Sequence, residues 1–329
     1  MVPPSGKNHH PSFLKTIGLK SERAGSRYEE LREKAKKGNT DPITGSRLYW
    51  TRGFNWESAK KNLTLKVSGK FAVDTGNIDA DDELGTAFPD LEGYQTDFRF
   101  ASVTASGWIY NFIEYRLEVD FADVREIKDN WIRFKKIPYL GFFQTGHIKE
   151  PFSLEREGSF NHLTFMENSL PTQALAAGRN MGFMLYNTAY NDRITWKVGG
   201  FFNTGSFTDV GNPQDRLSDA NGYNITARIT GRPWHTTDGR RLLHLGLSYS
   251  HRFRDADLDD PDKRVRFSTP PESRLTDERL VDTGRFFSDG IDVINPELAL
   301  VSGPFSLQSE YFHAFVDSEK TLQFFGGYL

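Results

Sequence analysis

Nine basic residues share a pattern that could attract small anions. Seven lie on the polar side of segments in which polar and apolar residues alternate, and two flank a long segment without alternation. They are Arg116, Arg133, Lys135, Lys149, Lys197, Arg228 and Arg252, with Arg156 and Arg179 as the flanking pair. Cations lining one wet space can replace part of an anion's hydration shell and raise its local concentration. The simpler alternative is that they are ordinary solvent-facing charges.

Acidic residues on the same polar sides oppose this effect. They are Glu114, Glu118, Asp120 and Glu310. Mixed charge of this kind predicts only a weak preference for anions.

The clearest alternation runs through residues 112–121, where five apolar residues alternate with four ionisable ones. This is the pattern of a β-strand with one wet face. About thirteen strands are predicted in all, at residues 63–74, 98–109, 112–121, 128–137, 141–149, 179–189, 194–203, 223–232, 241–253, 290–302, 305–316 and 321–329, with one more near Val265. In a soluble sandwich the apolar faces would meet a second sheet. In a membrane barrel they would face lipid, and the polar faces would enclose water.

The connections between these strands alternate in length. Residues 190–192 and 236–239 are short turns, whereas residues 205–222 and the acidic segment from 254 are long. Outer-membrane barrels have short turns at one end and long loops at the other. A sandwich has no reason to sort its loops in this way, so the pattern favours an all-β antiparallel transmembrane barrel.

Composition excludes several other classes of protein. The chain has 329 residues, no cysteine, 14% aromatic residues and a net charge of −3, which gives no support for a nucleic-acid partner. No apolar run approaches the length of a membrane-spanning helix. The histidines lack the spacing of metal ligands. The sequence has no hydrolase motif and no phosphate-binding P-loop, so no motif indicates an enzyme. We therefore expect no metal, no cofactor and no catalytic residue.

Residues 140–187 contain the most unusual feature of the chain. Two predicted strands are joined there by about two dozen residues with no strand period, after Pro151 ends the first strand. Loops of this length inside a compact fold are usually functional. In a soluble domain the segment would be a lid over a site, and in a barrel it could fold inward and narrow the lumen.

The motifs in and around this segment resemble those of the phosphate-selective porin O and P family. The matching runs are Gly146-His147-Ile148-Lys149-Glu150-Pro151-Phe152-Ser153-Leu154-Glu155, Phe165-Met166-Glu167-Asn168-Ser169-Leu170-Pro171 and Gly178-Arg179-Asn180-Met181-Gly182, with further matches at residues 49–58, 281–284 and 303–311. The resemblance covers about residues 48–329. It implies a trimeric outer-membrane porin with sixteen strands per subunit and a loop folded into each pore.

The resemblance defines the expected function and organisation. Residues 48–329 would form the barrel, lacking its last strands, after a polar, basic arm at residues 1–47 that is helical or disordered. We expect a passive channel for small hydrophilic solutes, favouring phosphate or other anions, in the bacterial outer membrane beside lipid and lipopolysaccharide. Residues 153–178 would narrow the pore. No signal peptide is visible.

Two other functions stay open at this point. The first is a soluble β-rich binding or structural protein. The second is a barrel hydrolase, which would need a serine, a histidine and an acid in one place, and for which His244 and Ser248 share a strand face.

Overall fold

A computed structural model of the chain describes residues 39–89, 91–122, 126–202, 222–236, 238–254 and 264–329. Most of the predicted arm, residues 1–38, lies outside this part. Within the described residues no helix is long and apolar enough to cross a membrane. The helices are short: α1 (Asp82–Ala87), α2 (Leu154–Glu157), a 3-10 turn (Phe160–His162) and α3 (Leu170–Leu175).

The structure is dominated by β-strands that pair with their neighbours in antiparallel fashion. Their bounds are β1 (Asn39–Thr40), β2 (Arg47–Trp50), β3 (Phe54–Glu57), β4 (Leu63–Ile78), β5 (Gly93–Ile109), β6 (Ile113–Asp120), β7 (Glu126–Ile127), β8 (Asn130–Ile137), β9 (Gly141–Lys149), β10 (Arg179–Ala189), β11 (Ile194–Phe202), β12 (Tyr223–His235), β13 (Arg241–Phe253), β14 (Ser268–Thr269), β15 (Val281–Asp282), β16 (Gly290–Ser302), β17 (Phe305–Asp317) and β18 (Leu322–Tyr328). In the described residues, all except β14 and β15 belong to one sheet of sixteen strands.

The two faces of this sheet differ in burial as the alternation predicts. On β13, Leu245 and Leu247 are 43% and 48% exposed, whereas His244 and Ser248 are 4% and 0% exposed. On β6, Leu117 is exposed and its neighbour Glu118 is buried. Apolar side chains are thus outside and polar ones inside, which contradicts a soluble sandwich, where the apolar faces would be covered by a second sheet.

The sheet curls into a barrel around residues 150–178. This one segment touches β5 through Arg99, β12 through Thr226 and β17 through Glu310, and its helix α3 packs beside β18. A short segment can contact the same face of strands so far apart in the sheet order only if the sheet closes around it. The predicted all-β antiparallel barrel with an inserted loop is therefore confirmed.

Part of the barrel interior is apolar rather than wet. An interior apolar cluster joins the inserted segment, the inner faces of β16 and β17, and the loop between β13 and β16. It consists of Phe152, Leu175, Ala176, Val265, Phe267, Ile291, Val293, Phe312, Ala314 and Val316. The strand predicted near Val265 is short and lies outside the barrel wall, since Val265 makes a single bridge to Phe286 and the following β14 pairs with β15 in a separate sheet.

The loop that follows β13 also reaches across the barrel. Its Leu275 packs so close to Gly76 on β4 that a Cβ added to this glycine would lie 2.7 Å from the leucine Cδ1. The N–H of Leu170 on α3 donates to Glu272 of the same loop at 2.9 Å. In the part of the chain that the structure describes, two segments therefore reach into the interior.

The outer face of a membrane barrel meets lipid, so we expect the exposed apolar face of this sheet to tolerate charge poorly. Leu247 is the central residue of β13, and Leu247→Arg should cost about 2–4 kcal/mol of unfolding free energy at the bilayer midplane. The measurement is guanidinium unfolding of protein folded into lipid vesicles. Leu280→Arg is the control, because Leu280 is similarly exposed, at 41%, but lies in a loop. Equal effects of the two substitutions would contradict a lipid-facing β13.

Candidate functional site

The inserted segment begins at a buried carboxylate. Glu150 is fully buried and accepts hydrogen bonds from the side-chain amides of Asn180 and Asn224, each at 2.7 Å, and from the Thr226 hydroxyl at 2.5 Å. A buried carboxylate is tolerated only when its oxygens have partners. Its three partners, on β10 and β12, therefore fix the point at which the chain leaves the wall after β9.

A second carboxylate, on β17, holds the first turn of the segment. Glu310 on β17 accepts from the Ser153 hydroxyl at 3.1 Å and from the backbone N–H groups of Leu154 and Glu155 at 3.0 and 2.8 Å. The Tyr328 hydroxyl also donates to it, at 2.7 Å. Glu310 thus satisfies N–H groups at the start of α2 that no helical carbonyl could reach.

Three side chains in the motif at residues 151–155 hold the inserted segment in place. Phe152 packs against Phe312 in the interior apolar cluster, with 6.3 Å between ring centroids. Leu154 packs with Leu242 and its neighbours on the inner wall. Glu155 accepts from the N–H and hydroxyl of Ser169, at 3.0 and 2.8 Å, and so ties the two ends of the segment together.

Arg99 anchors the far side of the segment and was missed by the sequence alternation. It pairs with Glu167 at 3.3 Å and with Asp74 at 3.0 Å, and it lies 5.2 Å from the Phe160 ring centroid. Alternation puts Arg99 on the apolar side of β5. The register shifts by one residue at this point, and a bulge of this kind re-aims a side chain.

The predicted basic residues on β6 and β8 point inward but are paired with acids. Arg116 bonds Glu118 at 2.5 Å, and Arg133 bonds Glu114 at 3.0 Å. Lys135 shares Glu114 at 3.6 Å and lies 3.5 Å from the Trp108 ring centroid. Glu114 and Glu118, predicted on the same face, therefore neutralise much of this charge.

Arg179 and Asp129 form a pair where the segment rejoins the wall, 2.7 Å apart. Burial opposes ionisation of Asp129, but the charges of Arg179 and Arg116 outweigh burial and lower the pKa of its carboxyl to about 2. Asp129 therefore stays charged at neutral pH.

Lys197 and Arg228 meet an acid that the segment itself carries. Both contact the same oxygen of Glu157, at the end of α2, and the Arg228 Nη1 is 3.1 Å from it. Arg228 also bonds Glu297 at 2.7 Å. Burial opposes ionisation of Glu157, but Lys197 and Arg228 outweigh it and hold the pKa of this carboxyl below its usual value.

Lys149 and Arg252 bond to backbone carbonyls of the segment, and neither forms an ion pair with a carboxylate of the described residues. The Lys149 ammonium donates to the carbonyls of Arg156 and Gly158, at 2.8 and 2.6 Å. Arg252 is 7% exposed and donates to the Leu175 carbonyl at 2.6 Å, while its Nε has no hydrogen-bond partner.

Arg254, which sequence reasoning did not select, also has a buried Nε without a partner. Burial and the adjacent charge of Arg252 lower the pKa of Arg254 to about 9. Arg156, on α2, is half-buried, and its backbone N–H donates to the Ser153 hydroxyl at 3.1 Å.

The hydrogen bonds of His244 and Ser248 lead in different directions. His244 Nε2 bonds Glu297 at 2.8 Å, whereas the Ser248 hydroxyl accepts from the Ser153 N–H at 3.4 Å. The structure therefore does not assemble the serine and histidine that a hydrolase would need. In the described part of the chain no group of three or more metal-ligating residues forms a site.

Comparison with known families agrees with this geometry. The family model described as phosphate-selective porin O and P matches residues 65–329. The chain belongs to this family. A comparison with curated proteins finds no match. Porins of this family are channels of the outer membrane rather than an enzyme family.

We expect Glu310 to control the mobility of the porin's inserted segment. Glu310→Gln keeps the shape of the side chain but replaces charge-assisted hydrogen bonds, each worth about 1.5–3 kcal/mol. The bond after Arg156 should then become more accessible to trypsin in the folded protein. Glu319→Gln, on the exposed turn after β17, is the control. Unchanged cleavage in Glu310→Gln would show that the segment does not depend on this anchor.

Proposed function

We propose that this porin conducts small hydrophilic solutes by passive diffusion, with a modest preference for anions such as phosphate. The observation that supports this most directly is the division of the two faces of the sheet. Apolar side chains such as Leu117, Leu245 and Leu247 are exposed outside, while ionisable and polar side chains point inward. A wall of this kind separates lipid from a wet interior.

The proposed path runs along one side of the barrel. The interior apolar cluster fills the space beside β16 and β17, so solutes would pass between the inserted segment and the wall formed by β5, β6 and β8–β13. That wall carries Arg116, Arg133 and Lys135, and residues 153–178 narrow the passage. The constriction is therefore expected to lie off the barrel axis.

An anion preference is supported by the basic residues that lack a carboxylate partner. Lys149, Arg252 and Arg254 lie at the inserted segment or at the end of β13, next to the narrowest part of the path. A cation in a confined, partly dry space attracts anions more strongly than one in open water. The paired residues contribute less, so the preference should be modest.

The remaining partners follow from the family and the exposed apolar wall. We propose that the outer face contacts lipid and lipopolysaccharide and that three subunits associate. A nucleic-acid partner is not proposed, because the net charge is −3.

Planar-bilayer recording tests this proposal. The purified porin should give discrete conductance steps, and the reversal potential under a potassium chloride gradient should indicate a preference for chloride. Absence of conductance steps would overturn the proposed function.

Arg252→Gln removes one buried positive charge without leaving a carboxylate unpaired. We expect the anion-to-cation permeability ratio to fall by roughly twofold. Arg240→Gln is the control, since its side chain is 71% exposed on a short turn. If Arg252→Gln and the control give the same reversal potential as the wild type, Arg252 does not lie on the anion path.

A further inference from the structure

Lys197 and Arg228 form a pair of cations that face each other across two strands. They are register partners on β11 and β12, and both side chains point into the barrel. The side chain of Arg228 is 7% exposed and that of Lys197 is 20% exposed. Two like charges held this close, with little water between them, require an anion.

Glu157 supplies this anion from the inserted segment. A single carboxylate oxygen, Oε2, contacts both the Lys197 ammonium and the Arg228 guanidinium. A phosphate or carboxylate solute would place an oxygen between the same two donors, because such charge-assisted contacts are what lysine and arginine make with oxyanions.

We propose that Lys197 and Arg228 form a binding site for small oxyanions and that Glu157 occupies it as a tethered competitor. The proposal rests on the proposed function, because it concerns solutes that pass along this wall. Glu157 would then determine both the affinity of the porin for oxyanions and its preference for anions over cations.

The charges of the site support this role. Arg228 bonds Glu297 through Nε and Nη2, so only its Nη1 is left for Glu157. Lys197 and Arg228 contribute +2, and Glu297 and Glu157 contribute −2, so these four side chains together have a net charge of zero. Without the Glu157 carboxylate the total is +1, and the site has an open position for one anion.

The tether makes Glu157 an effective competitor. The backbone is held two residues before Glu157, where Glu310 accepts a hydrogen bond from the Glu155 N–H at 2.8 Å. A tethered group has a high effective concentration at its site, so a dissolved anion competes at a disadvantage. Because Glu157 belongs to the segment and not to the wall, a displacement of α2 would remove the carboxylate and open the site.

Glu157→Gln tests the proposal, because glutamine keeps the size of the side chain and removes its charge. In planar bilayers the anion-to-cation permeability ratio should rise about threefold. Inorganic phosphate should block the chloride current at about tenfold lower concentration than in the wild type. Glu319→Gln, on the exposed turn, is the matched control and should change neither quantity.

Two further variants test whether phosphate binds between Lys197 and Arg228. In Glu157→Gln combined with Lys197→Met, the gain in phosphate block should disappear, because one of the two donors is missing. Glu157→Asp, whose shorter side chain withdraws the carboxylate, should give an intermediate result. It also serves as the second test if the glutamine variant does not fold, which an unheated gel would show by loss of the compact band.

The outcomes separate this proposal from the broader one. If the wild type gives no conductance steps, the proposed function fails. If the steps appear but Glu157→Gln and Glu157→Asp leave phosphate block unchanged, only the tethered-competitor site is overturned. A gain in block that persists in the combined variant with Lys197→Met would also overturn it, since the anion would then bind elsewhere.

Discussion

The hydrogen bonds that Glu310 accepts from the start of the inserted segment are the interaction on which the rest of the interior depends. They come from Ser153, Leu154 and Glu155, and Asn295 and Tyr328 add two more donors. A carboxylate moved out of water is costly unless its lone pairs are used. Here five donors surround it, and the position of α2, and with it of Glu157, follows from that arrangement.

The interior apolar cluster beside β16 and β17 also holds the inserted segment in place, but by hydrophobic burial rather than by hydrogen bonds. Burial of Phe152, Leu175 and Phe312 against one another fixes the returning part of the segment without directional bonds. The inner faces of β16 and β17 are therefore apolar where the cluster lies, whereas the inner faces of β6 and β8 carry charged side chains. In the proposed function this asymmetry confines the wet passage to one side of the barrel.

Charge compensation is the feature that limits the proposed preference for anions. Arg116, Arg133, Lys197 and Arg228 all point inward, yet each has a carboxylate within ion-pair distance. A count of basic residues along the path would therefore overestimate the attraction of anions. The net field depends on the few cations whose partners are neutral carbonyls, such as Lys149 and Arg252.

The sequence by itself determined the strands, their apolar and polar faces and the inward direction of most predicted cations, because these follow from the period of two in an extended chain. The same pattern also located the inserted segment, which starts where Pro151 ends the preceding strand. Arg99 escaped detection because a bulge breaks that period. The period also did not show that the short strand near Val265, β14, belongs to a separate small sheet rather than to the wall. Only the tertiary structure decided that Glu157 neutralises Lys197 and Arg228, which are 40 and 71 residues away. Such pairing depends on how the sheet curls around the segment, and no local rule of spacing contains that information.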